Sequence, residues 1–261
     1  MQDLKLTLVQ PDMHWQDPTA NYRLLDNMLA LDGHEADLIV LPEMFTTGFT
    51  MDAANNFEDT AGPTTAWLIE MAEKYQAHIC GSLIVRDAGQ YFNRLLWVAP
   101  DGSSHSYDKR HLFRMANEQN HYAAGNDKLV VEIGNWRICP LICYDLRFPV
   151  WSRNRNDYDL LIYVANWPAP RQSAWRTLLP ARAVENLCYT AGVNRVGTDG
   201  NDVNYAGDSI LADYLGNLAI DAGDHAGTYN ATISLEKLQR YRNKFPAWKD
   251  ADDFTLADTT D

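Results

Sequence analysis

Ile138-Cys139-Pro140-Leu141-Ile142-Cys143-Tyr144-Asp145-Leu146-Arg147-Phe148-Pro149 is an apolar, strand-like run that stops at a cysteine and turns polar at once. A buried strand that passes through Tyr-Asp into a helix expected over residues 148–156 would hold the Cys143 thiol on a sharp corner. The nucleophile elbow of serine hydrolases uses the same geometry with a different residue. Taken alone, the stretch fits a core cysteine better, because free Cys is among the most buried residue types and behaves as a small hydrophobe.

Working outward, residues 128–133 and 136–143 flank Gly134-Asn135, a hairpin signal whose second arm delivers Cys143. Residues 4–9 alternate as a strand does, and residues 18–32 carry helical spacing. Residues 37–42 form a short apolar run of the kind buried on both faces of a sheet, with Glu43 directly behind it. Residues 44–57 read as a long loop, and Gly62-Pro63-Thr64 opens a helix striped by Leu68, Met71 and Tyr75. Residues 78–85, 91–99 and 105–109 are strand-like, which puts Lys109 at a strand end. Residues 110–127 show no periodicity, and a loop of that length inside a compact domain is commonly functional. Residues 160–165 form another buried-type strand, and 173–188 a helix that Pro180 kinks or restarts. Residues 189–196, 209–214, 218–221 and 228–234 are strands between glycine turns, and 235–244 is a charged helix. This alternation describes a mixed α/β domain with helices covering the outer faces of sheets.

The 261 residues are 46% hydrophobic and 22% charged, with no Pro/Gly/Ser-rich linker, so one domain over residues 1–261 is expected. An acidic tail begins at about residue 246, and its last dozen residues are poor in apolar anchors and read as a frayed end. Twenty-two Lys and Arg against 35 Asp and Glu give a net charge of -13, which repels polyanions and anionic bilayers. Neither nucleic acid nor a membrane is an expected partner. The four cysteines form no CxxC pair and the N-terminus Met1-Gln2-Asp3-Leu4-Lys5 has no apolar signal core, so a soluble, cytoplasmic protein is expected.

Phosphate loops, dinucleotide turns, zinc helices and serine elbows are missing from the sequence, and the seven histidines are scattered. No metal or cofactor is expected. The reactive side chains left at strand ends, where sheet proteins build sites, are Glu43, Lys109 and Cys143. A Cys-His dyad using His111 or His121 has no local signature. Alone, each of Glu43 and Lys109 also fits a solvated charge.

Leu41-Pro42-Glu43, then Asp108-Lys109-Arg110-His111-Leu112-Phe113, then residues 142–149 resemble, in order and spacing, three signature segments of the nitrilase superfamily of carbon-nitrogen hydrolases. Arg182-Ala183-Val184-Glu185-Asn186 and the Gly207-Asp208-Ser209 turn match as well. The resemblance implies a four-layer α-β-β-α sandwich and a Glu-Lys-Cys triad, here Glu43, Lys109 and Cys143. It also implies a second glutamate after the lysine, at Glu118, although Gln119 stands where a serine is usual. Tyr214-Leu215-Gly216 lacks the family's proline, a change expected to reshape a rim loop. A homodimer is implied too.

With that triad, Glu43 is expected to take the thiol proton, Lys109 and the Tyr144 backbone N–H to hold the oxyanion, and a thioester to form on Cys143. The elbow is similar to the branch that acts on small dicarboxylic acid monoamides, which implies 2-oxoglutaramate and 2-oxosuccinamate as substrates and an omega-amidase activity. Such substrates carry a far carboxylate, for which Arg147 and Arg171 are the candidate partners, with Trp167 as a wall. Both arginines also fit structural or loop charges. Two other readings stand beside this one: a deaminated glutathione amidase or another nitrilase-branch hydrolase, and a noncatalytic binding or redox-sensor protein in which Cys143 is merely oxidisable.

Overall fold

A computed structural model describes residues 3–32 and 35–256. Met1 and Gln2 of the N-terminal reading, and residues 257–261 of the acidic tail, lie outside the described residues. In chain order the first half supplies β1 (Asp3–Gln10), α1 (Pro18–Asp32), β2 (Leu38–Val40), the one-turn α2 (Ala53–Asn56), β3 (Glu58–Asp59), α3 (Pro63–Tyr75), β4 (His78–Asp87), β5 (Gln90–Val98) and β6 (Ser104–Asp108). The second half adds β7 (Val131–Ile133), β8 (Trp136–Ile142), β9 (Leu160–Val164), α4 (Gln172–Asn186), β10 (Tyr189–Val193), β11 (Val196–Thr198), β12 (Asn204–Ala206), β13 (Ile210–Ala212), β14 (Leu218–Asp221), β15 (Gly227–Ser234) and α5 (Leu235–Lys244).

Two sheets follow. One has the order β15-β1-β2-β4-β5-β6 with β3 beside β4, and the other the order β14-β13-β10-β9-β8-β7. The period of two along the first sheet sorts its side chains between two cores. Leu4, Leu6, Leu8, Leu38, Val40, Leu95 and Trp97 point to the second sheet and join its Ile138, Ile142 and Ile162. Val9, Ile39, Ile79, Leu83, Leu96 and Val98 point the other way, beneath Leu25 and Leu29 of α1 and Trp67, Leu68 and Met71 of α3. On the far side α4 lies on β10, with Leu179 and Trp175 against Gly192. The layers are therefore α-β-β-α, as expected.

Gly192 is where the fourth layer comes closest. A Cβ there would meet Leu179 Cδ1 at 2.4 Å and Trp175 Cζ2 at 2.7 Å. Gly192→Ala should therefore lower stability by about 1–3 kcal/mol through overpacking, which is read as a fall in melting temperature.

The helix expected over residues 148–156 does not form. The turn tightens at once into a 3₁₀ segment, Cys143–Arg147, and irregular turns follow. Asn154 explains this locally. Its Oδ1 accepts from the Asp157 and Tyr158 N–H groups, and its Nδ2 donates to the carbonyls of Tyr158 and Asn186. Side-chain bonds of this kind offer the backbone an alternative to a helix. Pro180 sits inside α4. Gly216 of the Tyr214-Leu215-Gly216 turn lies beside Val184 and Pro180 of α4, and the turn is not part of the lining of the cavity that holds Cys143. In the tail, Arg155 holds Asp253 at 3.3 Å and the Phe254 carbonyl at 3.0 Å.

Candidate active site

Four strand ends converge on one corner of the sandwich. Glu43 follows β2, Lys109 follows β6, Cys143 follows β8 and Asn166 follows β9. The parallel pairing of β8 with β9 sets Ile142 opposite Val164, which holds the last two together. Cys143 adopts φ 42°, a left-handed conformation that a side chain rarely takes outside strained, functional turns. The elbow expected from the sequence is thus present, one step earlier than the expected helix.

Glu43, Lys109 and Glu118 have no exposure to solvent. Lys109 Nζ donates to Glu43 Oε1 at 2.8 Å and to both oxygens of Glu118 at 3.0 Å. The remaining carboxylate capacity is also used. Glu43 Oε1 accepts from Asn93 Nδ2 and Oε2 from the Asn166 N–H, each at 2.8 Å, while the Phe113 N–H donates to Glu118 at 2.5 Å. A buried cation between two carboxylates keeps its charge only with hydrogen bonds of this quality.

The electrostatics follow from burial and sign. Burial pushes the Cys143 thiol up, and the Glu43 charge pushes it further, against the opposing pull of Lys109. A hydrogen bond to Glu43 also favours the protonated thiol. Burial opposes the Lys109 charge, but Glu118 and Glu43 outweigh it and raise the ammonium. Glu118 is raised by burial, with Lys109 pulling it back and Glu43 adding to the rise. Burial and the neighbouring glutamates together favour a neutral thiol at rest.

Glu43, Lys109 and Cys143 form the floor of a cavity of about 490 Å³. Tyr144, Arg147, Trp167 and Arg171 line it as well. Arg147 lies over the Trp167 ring at 5.1 Å, and Arg171 lies over Phe113 at 5.0 Å with the Met115 sulfur 3.7 Å from its Nη1. Among the described residues neither guanidinium has a carboxylate partner. Trp167 is fixed as a wall by its Nε1 bond to the Arg171 carbonyl at 2.8 Å. Glu118 lies below the cavity behind Lys109, and the carbonyl oxygen of the Gln119 side chain is buried without a partner among the described residues.

Sequence reasoning missed Asn93 and Asn166, which clamp Glu43 from two sides. It also missed Ser82, whose hydroxyl donates to Asn93 Oδ1 at 2.8 Å and so turns the amide nitrogen toward Glu43. No spacing rule marks such residues, because they sit in ordinary strand positions. The opposite cavity wall, Trp15, Asp199, Asn201 and Tyr205, comes from loops and the β11–β12 ribbon that were likewise not anticipated.

A sequence profile described as carbon-nitrogen hydrolase matches residues 5–243. The chain is 51% identical to the omega-amidase YafV of Escherichia coli K12, over 98% of this chain and all of that one. It is 31% identical to a 2-oxoglutaramate amidase of Bacillus subtilis, over 94% and 96% of the two chains. The crystal structure of XC1258 from Xanthomonas campestris, a CN-hydrolase superfamily protein with an arsenic adduct in its active site, superposes with a TM-score of 0.96. It is 47% identical and covers 98% of this chain and 100% of that one.

Proposed function

The chain belongs to the carbon-nitrogen hydrolase family, and from that premise we propose that it is an omega-amidase releasing ammonia from small dicarboxylic acid monoamides. The observation that carries the proposal is Cys143 on its left-handed corner, facing Glu43, with Lys109 held between two glutamates at the floor of a cavity that also presents two arginines. Similarity to an omega-amidase and a 2-oxoglutaramate amidase along nearly the whole chain supports the substrate class.

In this reading Glu43 takes the thiol proton as sulfur attacks the amide carbonyl, so no free thiolate has to exist beside two carboxylates. The developing oxyanion meets the Lys109 ammonium and the Tyr144 N–H, which lies in the first turn of a helical segment where backbone donors lack an internal acceptor. Glu43 returns its proton to the departing nitrogen, and ammonia leaves a thioester on Cys143. Water gives its proton to Glu43, adds to the thioester and releases the acid, and the sulfur recovers its proton. Glu118 holds Lys109 in place throughout. The protein acts as one catalytic domain with an appended acidic tail, needs no cofactor, works in the cytoplasm and assembles as a homodimer. Among the described residues no helix is long and apolar enough to cross a membrane.

The far carboxylate of 2-oxoglutaramate or 2-oxosuccinamate then meets Arg171, with Arg147 beside it on Trp167. Ammonia release is measured for 2-oxoglutaramate, 2-oxosuccinamate, glutamine, a deaminated glutathione, an uncharged amide and a nitrile. The 2-oxo acid amides should dominate, and a leading response to glutamine or the nitrile overturns the proposal. Arg171→Ala should raise KM for the charged amides by about 10- to 100-fold while barely changing the uncharged amide. An equal change for both removes Arg171 from that role.

A further inference from the structure

Two residues past Cys143, the Asp145 carboxylate has no exposure to solvent and does not line the cavity. Its Oδ2 accepts from the Tyr107 hydroxyl at 2.7 Å and from the Ile142 N–H at 3.0 Å. Its Oδ1 accepts from the His111 N–H at 3.0 Å and lies 2.7 Å from His111 Nδ1, a ring nitrogen that donates to it in the Nδ1–H tautomer. Tyr107 and His111 stand two residues before and two residues after Lys109. One buried group therefore grips both flanks of the lysine and, through Ile142, the backbone leading into the left-handed corner at Cys143.

The neighbours of this carboxylate are fixed in turn. The Tyr107 hydroxyl accepts from Trp151 Nε1 at 3.0 Å and from the Arg110 N–H at 3.3 Å. The His111 ring stacks on Phe148 at 3.9 Å with an interplanar angle of 8°. An isolated buried carboxylate is costly, and an apolar side chain could fill the same volume without that cost. What an apolar side chain cannot do is orient four donors from two chain segments at once. Lys109 comes from the first sheet and Cys143 from the second, so their separation depends on what joins the sheets at this corner.

We propose that Asp145 is a positioning residue, a buried strut that fixes the Lys109 strand end against the Cys143 corner and so sets where the ammonium meets the oxyanion. The role builds on the reading of Cys143 as nucleophile and Lys109 as oxyanion donor. Misplacement of reacting groups by about 1 Å is enough to cost on the order of 100-fold in rate.

The test compares Asp145→Asn and Tyr107→Phe with the wild type in steady-state kinetics on 2-oxoglutaramate, in the rate of Cys143 alkylation by iodoacetamide across pH, and in thermal unfolding. Asp145→Asn turns an NH2 group toward one pair of donors, so kcat should fall about 100-fold with KM within about threefold. Tyr107→Phe removes the bond to Asp145 together with those accepted from Trp151 and the Arg110 N–H, leaves the carboxylate its other three donors, and should lower kcat about tenfold at unchanged KM. In both variants alkylation should slow and its pH dependence shift, because the thiol no longer faces its base squarely. Should Asp145→Asn fail to fold, Tyr107→Phe decides alone. Unchanged kcat, a change confined to KM, or a loss no larger than the unfolded fraction overturns the strut. If the wild type releases no ammonia, the functional reading fails, and the alkylation comparison still decides whether Asp145 positions the thiol.

Discussion

Cys143→Ala is expected to lower ammonia release from 2-oxoglutaramate by at least about 10⁴-fold, as removal of a nucleophile does in enzymes that work through a covalent intermediate. The fold should survive. The thiol is a small group at the cavity floor, 8% exposed, so its loss widens an existing space and leaves no sealed void in the core. Alanine also meets the same left-handed backbone that cysteine already tolerates at this corner. A mass shift from the acyl-enzyme, visible in the wild type after rapid acid quench, should vanish in the variant. Turnover within tenfold of wild type would mean that the sulfur is not the attacking atom.

Lys109→Met is expected to lose both activity and stability. The thioether keeps the volume but removes the cation that Glu43 and Glu118 share at 2.8–3.0 Å. Losing an oxyanion donor costs about 10²- to 10³-fold in kcat, and stranding buried carboxylates costs about 3–5 kcal/mol. The pH dependence has a definite sign. Glu118 is already raised by burial, with Lys109 opposing the rise, so removing the lysine raises it further. A carboxylate whose folded pKa lies above its unfolded value gives stability that is present at low pH and lost as pH climbs through the folded value. The melting-temperature deficit of the variant relative to wild type should therefore shrink as pH falls. A deficit independent of pH would show that Glu118 does not depend on Lys109 for its charge.

Glu43, Lys109 and Cys143 were legible because each comes just after an apolar or alternating run, and Glu118 because the family resemblance places a second glutamate in the long loop after the lysine. Their partners were not. Asn93 reaches Glu43 across 50 residues and Asn166 across 123, and an asparagine at a strand end carries no pattern that separates a clamp from a turn. The layer order of the fold came from the family resemblance, yet the period of two in Leu4, Leu6, Leu8 against Val9 already encoded which face met which layer. The helix read over residues 148–156 failed because periodicity ignores side chains such as Asn154 that bond their own backbone. Strands β11 and β12, three residues each, were invisible for the opposite reason: their pairing is local, but too short to show alternation.

The first strand of the chain has a last-made neighbour. Residues 3–10 pair along their whole length with residues 227–234, Asp3 opposite Ser234 through Gln10 opposite Gly227. On the ribosome, where synthesis runs from the N-terminus, β1 must wait for almost the entire chain before its outer edge is covered. Until then a ribbon carrying Leu4, Leu6 and Leu8 has an open row of backbone donors and acceptors, the kind of edge on which aggregation starts. Closing so distant a contact is slow relative to local pairing. Because β2 and the Glu43 that follows it hang on the other edge of β1, the corner that holds Glu43 takes its final shape only when the C-terminal strand arrives. A chain cut short upstream of Gly227 is therefore exposed to the cell's quality control as an unfinished sheet.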